Sequence, residues 1–166
     1  MGKKDKKLSN REKREEVKKR LRYYYNDLNE IEIIKRVIKN LRDNMSDLKS
    51  ASSDVESVQG GTSKQEDVLI SDIDKIKKLE DKIKDIEYKH IDLINALDVI
   101  KKDDEAFDII KHVWLYRDKS MADMGKKLCM SKDKVWSISD SSLSKMHDFM
   151  DRFNRYQRFV NIVAMK

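Results

Sequence analysis

Two long segments of the chain carry apolar residues at intervals that alternate between three and four. The first set is Val17, Leu21, Tyr24, Leu28, Ile31, Ile34, Ile38, Leu41, Met45 and Leu48. The second set is Leu69, Ile73, Ile76, Leu79, Ile83, Ile86, His90, Leu93, Leu97 and Ile100. Each set breaks the alternation once, with two successive steps of three at Ile31 and at Ile76. This spacing predicts two long amphipathic helices, each with one narrow apolar stripe.

The segment between the two predicted helices has the composition of a linker. Ser50 to Lys64 reads SASSDVESVQGGTSK and holds two of the four glycines, which is typical of a linker or a loose turn at residues 49–64. The two helices are predicted to fold back as an antiparallel hairpin, because their doubled steps of three then lie at matching heights. We expect this hairpin to pack on itself, on the C-terminal part or on a second copy of the chain.

From Glu105 onwards the pattern changes to short helices separated by tight breaks. An apolar helix is predicted from Glu105 to Tyr116, followed by a helix from Met121 to Leu128 with Ser120 as its N-cap. Cys129-Met130-Ser131 forms a predicted three-residue turn, and Ser131 can cap the next helix. The expected inward-facing residues are Phe107, Ile110, Val113, Trp114, Met124, Leu128, Val135, Ile138, Ser142, Leu143 and Met146.

The spacing of the last two helices predicts a helix-turn-helix. Helices that cross steeply need a small residue where their backbones meet, and Gly125 lies at that position. A glycine in a helix interior otherwise costs about 1 kcal/mol relative to alanine. Cys129 occupies a turn position where glycine is usual, so slight backbone strain is expected there. From spacing alone, the alternative is an ordinary cluster of three helices.

Composition and charge extend this picture. The 166 residues include no proline and 41% are charged, so long helices and an all-α fold are expected. Met1 to Tyr25 carry eleven basic and four acidic side chains, a net charge of +7. A basic end indicates a polyanionic partner, with a solvated basic tail as the alternative. The predicted regions are a basic tail at 1–16, a helical hairpin at 17–103 and a DNA-binding module at 104–166.

The sequence shows no pattern of an enzyme or a cofactor site. It lacks a nucleophile elbow, a phosphate loop, a paired-carboxylate motif and a metal cluster. His90 is interpreted as a core or interface residue, because no other histidine or cysteine lies at metal-ligand spacing. Cys129 is the only cysteine, which fits a reducing cytoplasm. No run of 18 apolar residues exists, so no membrane span is expected.

The outer face at the start of the last helix is the candidate DNA interface. Lys132, Lys134, Trp136 and Ser137 are predicted to enter a major groove together with the capping residue Ser131. The predicted phosphate contacts are Lys126, Lys127 and Lys145. For Trp136 the alternative is a partly buried aromatic side chain that closes the module against a neighbouring helix.

The same residues carry a resemblance to known families. The stretch SMADMGKKLCMSKDKVWSISDSSLSKM resembles region 4 of bacterial sigma factors, which reads the −35 promoter element. From Val17 to Met146 the chain is similar to phage late-gene transcriptional activators of the RinA and ArpU type. The shared order is a leading helix like KKRLRYYYNDLNEIEIIKRVIKNL, a linker like SSDVESVQGG, a second long helix and a sigma-like module. The resemblance implies an all-α fold in which a helical hairpin precedes a sigma region 4-like helix-turn-helix.

The resemblance also implies a function. The chain would be a DNA-binding activator encoded by a phage or mobile element, acting in the bacterial cytoplasm on promoters of packaging and structural genes. Double-stranded promoter DNA is the implied partner. The family carries basic residues around Ser137, Ser139 and Ser141, where this chain has serines. Their role would shift to the predicted site lysines, which are Lys126, Lys127, Lys132, Lys134 and Lys145.

Two further interpretations stay open from the sequence. The C-terminal segment FMDRFNRYQRFVNIVAMK carries Arg152, Arg155 and Arg158 and is a predicted helix that contacts phosphate or bacterial RNA polymerase. Alternatively, it folds back on the domain or forms a homodimer. The competing functions are a small-terminase-like packaging protein, which would form a large ring, and a coiled-coil adaptor or inhibitor without salt-sensitive DNA affinity.

Overall fold

The computed structural model describes residues 8–53 and 62–164, with side chains described for 8–47 and 66–161. Every element in these ranges is helical, as the all-α prediction requires. The α-helices are α1 (Asn10–Ser53), α2 (Thr62–Lys89), α3 (Ile91–Ile100), α4 (Asp104–Ile109), α5 (Met121–Leu128) and α6 (Lys132–Ala164). A π-helical segment (Ile110–Leu115) directly follows α4. Of the predicted linker, residues 54–61 lie outside the described residues and the remainder is helical.

Helix α1 begins at Asn10, well before Val17, where the apolar stripe starts. Ser9 and Glu12 form its cap: the Ser9 backbone N–H donates to the Glu12 carboxylate at 2.8 Å, and the Glu12 N–H donates to Ser9 Oγ at 3.3 Å. Residues 10–16, which we expected in a basic tail, are therefore helical. The apolar pattern misses them because their side chains are polar, whereas the S-x-x-E spacing of a capping box is visible in the sequence.

The second predicted helix is broken at His90, so a single helix to Ile100 is wrong. Helix α2 ends at Lys89 and α3 begins at Ile91, and His90 has φ −111° and ψ 12°, outside the helical region. Its ring is buried and lies 5.1 Å from the ring of Tyr24. The spacing of apolar residues does not reveal this break, because a single non-helical residue leaves the period almost unchanged.

The chain divides into two compact units at this break. The first unit contains residues 1–26 and 90–166, and the second contains residues 27–89. In the first unit, the beginning of α1 packs with α3, α4 and α6. The buried residues of this core are Val17, Leu21, Leu93, Ala96, Leu97, Ile100, Ala106, Ile110, Leu115, Leu143, Met146 and Met150. An adjoining cluster of Ile109, Met121, Met124 and Val135 fixes α5 against the start of α6.

A buried carboxylate links three helices of the first unit. Asp92 on α3 accepts hydrogen bonds from both terminal nitrogens of Arg20 on α1, at 2.6 and 2.5 Å, and from Asn154 Nδ2 on α6 at 2.8 Å. Burial raises the pKa of Asp92, but the hydrogen bonds from Arg20 and Asn154 and the Arg20 charge outweigh burial and hold this pKa below its usual value. A buried charge is tolerated only with such partners, so the network specifies how the three helices align.

In the second unit, apolar residues of α1 pack against apolar residues of α2. Ile34 and Ile38 of α1 form a buried cluster with Ile76 of α2, and the residues that flank it are Leu41, Met45, Leu79, Ile83 and Ile86. Three ion pairs join the helices: Asp27–Lys89 at 2.9 Å, Glu30–Lys82 at 2.7 Å and Arg42–Glu80 at 2.7 Å. The α2 partners of these ion pairs, Lys89, Lys82 and Glu80, occur in reverse order along the chain relative to their α1 partners.

One residue of the predicted stripe lies outside the core of the second unit. Ile73 is 52% exposed, whereas Ile76 is buried. Two successive steps of three turn the side-chain direction by about 120° around the helix axis. Ile73 lies at the end of this arc that the contact with α1 leaves exposed. The prediction that Ile73 lies on the buried seam is therefore wrong.

Candidate nucleic-acid interface

Helix α5 begins at a capping box. The Ser120 side chain accepts a hydrogen bond from the Asp123 backbone N–H at 3.2 Å, and the Ser120 N–H donates to the Asp123 carboxylate at 3.1 Å. Side-chain and backbone hydrogen bonds from Ser120 lower the pKa of Asp123. Met121 and Met124 of this helix are buried. The predicted cap at Ser120 is confirmed, and it starts α5 at Met121.

The turn between α5 and α6 is tight. Cys129 has φ 54° and ψ 41°, a left-handed conformation that costs a non-glycine residue roughly 1 kcal/mol. The Met130 N–H donates to the Gly125 carbonyl at 2.8 Å, and Ser131 Oγ accepts from the Lys134 N–H at 3.2 Å. A Cβ atom on Gly125 would lie 2.8 Å from the Met130 carbonyl oxygen. The predicted cap at Ser131 is confirmed, and Cys129 has the left-handed conformation expected at a position where glycine is usual. The close approach at Gly125 is to the turn at Met130, whereas the backbone nitrogen of Lys132 in α6 would lie 3.8 Å from the added Cβ.

The start of α6 presents one buried and one exposed face. Val135 is fully buried and Ile138 is partly buried against α5 and the π-helical segment. The predicted contact residues are all exposed: Ser131, Lys132, Lys134, Trp136 and Ser137. Within the described ranges, Lys132 and Lys134 take part in no ion pair. Asp133 is also exposed here and offsets part of their charge.

The three predicted phosphate contacts lie in different surroundings. Lys126 is exposed near the end of α5. Lys127 Nζ forms an ion pair with Asp108 at 2.5 Å, and its hydrogen bond lowers the pKa of Asp108. Lys145 is exposed, but it lies about 16 Å further along α6 than Lys134, at 1.5 Å per residue. Lys126 therefore lies in the last turn of α5, next to the turn that leads into α6. Lys145 lies away from the start of α6.

Trp136 is partly exposed and also packs against a neighbouring aromatic side chain. It is 40% exposed, and its ring makes an edge contact with Trp114, with ring centroids 6.3 Å apart. The Trp114 indole N–H donates to Ser139 Oγ at 2.7 Å, and Ser139 is fully buried. Ser139 therefore has a packing role here, and a basic side chain at this position would lose that hydrogen bond. Trp136 therefore contacts a neighbouring ring and is also accessible from solvent.

Searches of protein-family models, curated proteins and solved structures found no match to this chain. The resemblance to phage activators and to sigma region 4 rests on the residues quoted for it. Across the described residues, no three His, Cys, Asp or Glu side chains are grouped to hold a metal ion. In the same part of the chain, no helix combines the length and apolar character needed to cross a membrane.

Helix α1 contributes contacts that the sequence pattern did not predict. Lys13 pairs with Asp148 at 2.8 Å and Arg14 with Asp140 at 3.4 Å, so two basic residues assigned to the predicted tail hold α1 against α6. The Lys13 hydrogen bond lowers the pKa of Asp148. Lys18 Nζ lies 4.2 Å from the ring centroid of Trp114. The basic charge of this segment was visible in the sequence, but its distant partners were not.

The C-terminal arginine-rich segment continues α6 as a single helix to Ala164 and does not fold back. Phe149 and Phe153 are partly buried and stack at 6.2 Å. Beyond them, Tyr156 and Phe159 are 64% and 65% exposed. Arg155 pairs with Asp151 of the same helix at 2.8 Å. The segment therefore does not turn back as a separate helix, and its first part packs on the first unit through Met150 and Asn154.

Proposed function

We propose that this protein is a sequence-specific, double-stranded DNA-binding transcriptional activator in which α5 and the start of α6 act as a helix-turn-helix. One observation carries the proposal: the first turn and a half of α6 projects Lys132, Lys134 and Trp136 outwards from a tight turn. A helix of about 10–12 Å diameter fits the major groove of B-DNA, which is about 12 Å wide. Gly125 supports the proposal because its lack of a side chain allows the close approach of α5 to the turn.

The charge at this surface suits the DNA backbone and the base edges. Contacts between lysines and phosphates supply most sequence-independent affinity for DNA. Lys126 and Lys132 flank the turn and are assigned to phosphates. Lys134 and Trp136 are assigned to base edges, where lysine donates to guanine and an aromatic ring contacts the thymine methyl group. Lys127 contributes less, because Asp108 neutralises it.

The role as an activator of phage or mobile-element late genes rests on the resemblance to the RinA and ArpU type. We assign promoter DNA, bacterial RNA polymerase and a second copy of the chain as partners. Residues 27–89 are proposed to form the family's antiparallel hairpin. The reverse order of the Asp27–Lys89, Glu30–Lys82 and Arg42–Glu80 ion pairs supports this part of the proposal.

The experiment measures DNA affinity at several salt concentrations by fluorescence anisotropy, using duplexes selected from a random library. The variant Lys132→Gln/Lys134→Gln is compared with Lys101→Gln/Lys102→Gln, which removes the same charge from the exposed turn after α3. Each lost phosphate contact reduces the slope of log K against log salt by about 0.9. We expect a smaller slope and weaker base discrimination in the first variant, and little change in the control.

Three outcomes contradict the proposal. Without salt-dependent binding by the intact protein, an adaptor or inhibitor role replaces DNA binding. Equal losses in both variants would indicate a response to overall charge instead of a defined interface. A large ring by light scattering would favour a packaging protein over a transcriptional activator.

A further inference from the structure

A second basic surface lies in the first unit, outside α5 and the start of α6. It is a groove on the outer side of α1 that the loop before α5 borders, and we call it the α1 groove. Its lining residues are Glu15, Lys19, Arg22, Tyr23, Asn26 and Arg117. Tyr23 is 53% exposed, and Lys19 Nζ lies 5.8 Å from its ring centroid.

The cations of the α1 groove lack an ion-pair partner among the described residues, unlike most of the basic residues beside them on α1. Lys19, Arg22 and Arg117 form no ion pair with any residue that the structure describes. The acidic residue of the lining, Glu15, pairs with Lys18: Lys18 Nζ lies 2.8 Å from its carboxylate, and this hydrogen bond lowers the pKa of Glu15. The charges of Arg22 and Arg11 also lower this pKa, so Glu15 offsets part of the positive charge of the groove. By contrast, three other basic residues of this part of α1 have acidic partners on other helices. These are Lys13 with Asp148, Arg14 with Asp140 and Arg20 with Asp92.

Arg117 is held in a strained conformation. Its φ of 56° lies in the left-handed region, which costs a non-glycine residue about 1 kcal/mol. The next residue is anchored, because His112 Nδ1 and the Asp118 carboxylate lie 2.9 Å apart and the Asp118 N–H donates to the His112 carbonyl at 3.1 Å. Glycine would adopt this conformation without the cost. Strain of this kind occurs at functional sites, and here it places a cation beside the groove.

A continuous set of contacts joins the α1 groove to the start of α6. Tyr116, which precedes Arg117, packs against Tyr25 of α1 with ring centroids 5.9 Å apart. Lys18 lies over Trp114, and Trp114 contacts Trp136. Two aromatic side chains therefore connect the helix that lines the groove with the exposed residues of α6.

We propose that the α1 groove binds the phosphate backbone of the same DNA duplex whose major groove receives α6; this inference rests on the proposed function. Double-stranded DNA carries one negative charge per roughly 1.7 Å of its axis, so it supplies several anions to three cations on one surface. Arginine binds phosphate through paired N–H groups, and a tyrosine hydroxyl also donates to phosphates. The groove fixes the orientation of the duplex and adds affinity without base specificity.

The test uses the full chain and the same anisotropy measurements on the selected duplex and on a scrambled duplex. Lys19→Gln/Arg22→Gln should weaken binding to both duplexes by the same factor and reduce the salt slope by about two. Arg117→Gly should reduce the slope by about one, while thermal unfolding stays unchanged or rises because the strain is removed. Lys101→Gln/Lys102→Gln is the control with matched charge and should retain the slope of the intact protein.

The outcomes separate the two proposals. If Lys132→Gln/Lys134→Gln reduces the slope but neither groove variant does, the groove proposal fails and the role of α6 remains. If the groove variants reduce the slope and the α6 variant does not, the groove is supported and the role assigned to α6 fails. Selective loss of binding to the selected duplex alone would also overturn the groove proposal, because phosphate contacts do not distinguish sequences. If the intact protein shows no salt-dependent binding, both proposals fail.

Discussion

The substitution Gly125→Ala measures how closely α5 approaches the turn before α6. By helix propensity alone, alanine should stabilise α5 by about 1 kcal/mol relative to glycine. In the folded chain, however, the added Cβ would lie 2.8 Å from the Met130 carbonyl oxygen. This oxygen belongs to the backbone, and the Met130 N–H is itself bonded to the Gly125 carbonyl at 2.8 Å. The turn therefore has to move as a whole.

The magnitude follows from these opposing terms. Overpacking by one methyl group typically costs about 1–3 kcal/mol, and the clash with a backbone oxygen at Gly125 places the cost in the upper part of this range, about 2–3 kcal/mol. Subtracting the gain in propensity of about 1 kcal/mol leaves about 1–2 kcal/mol. We expect Gly125→Ala to destabilise the protein by about 1–2 kcal/mol, and thus to lower its melting temperature by about 2–4 °C per kcal/mol. DNA affinity should also fall, because displacement of the turn changes the direction in which α6 projects.

The assay is thermal and urea unfolding followed by circular dichroism, with Ala122→Gly as the control. Ala122 is exposed on the same helix, so this change reports the difference in propensity without a packing effect and should cost up to about 1 kcal/mol. An equal or higher stability of Gly125→Ala, alongside a destabilised control, would refute the packing argument. It would show that the turn relaxes at little cost.

Three other substitutions test separate parts of the structure. Trp136→Ala should lower the free energy of unfolding by about 1–2 kcal/mol, because the side chain is 40% exposed and an aromatic pair adds about 0.5–1.5 kcal/mol. A loss of about 4 kcal/mol would place the Trp136 side chain in the core. Asp92→Asn should destabilise the protein by about 1–3 kcal/mol at neutral pH, against little change for the exposed Asp98→Asn. Because the pKa of Asp92 is lowered in the folded protein, the contribution of its charge to stability is present above about pH 4 and is lost as the pH falls through this lowered pKa. Identical acid-unfolding curves for wild type and Asp92→Asn would contradict this expectation. Ile34→Asp should cost about 3 kcal/mol or more, since Ile34 is 5% exposed, whereas Ile33→Asp at a 60% exposed neighbour should change little; equal effects would place Ile34 on the surface.

Local interactions explain which features were predictable from the sequence. Helix caps and tight turns depend on residues three or four positions apart, so the roles of Ser120, Ser131 and Gly125 follow from their spacing in the chain. The start of α1 has a cap of the same spacing at Ser9 and Glu12. It was not predicted, because the apolar pattern used to locate the helix begins only at Val17. Exposure of Lys132, Lys134 and Ser137 also followed from the helical period, since Val135 and Ile138 define the opposite face.

The sequence by itself determined the all-α class, most of the inward faces, the tight turn after α5 and the exposed start of α6, but not the break at His90 or the start of α1 at Asn10. Only the tertiary structure decided how charges are paired: Lys13 and Asp148 are 135 positions apart, and Asp92 lies 72 positions from Arg20 and 62 from Asn154. It also decided which cations of the described residues gather beside Arg117. The physical reason is that helix formation depends on contacts within one or two turns. The electrostatic surroundings of a side chain depend instead on every helix that packs near it.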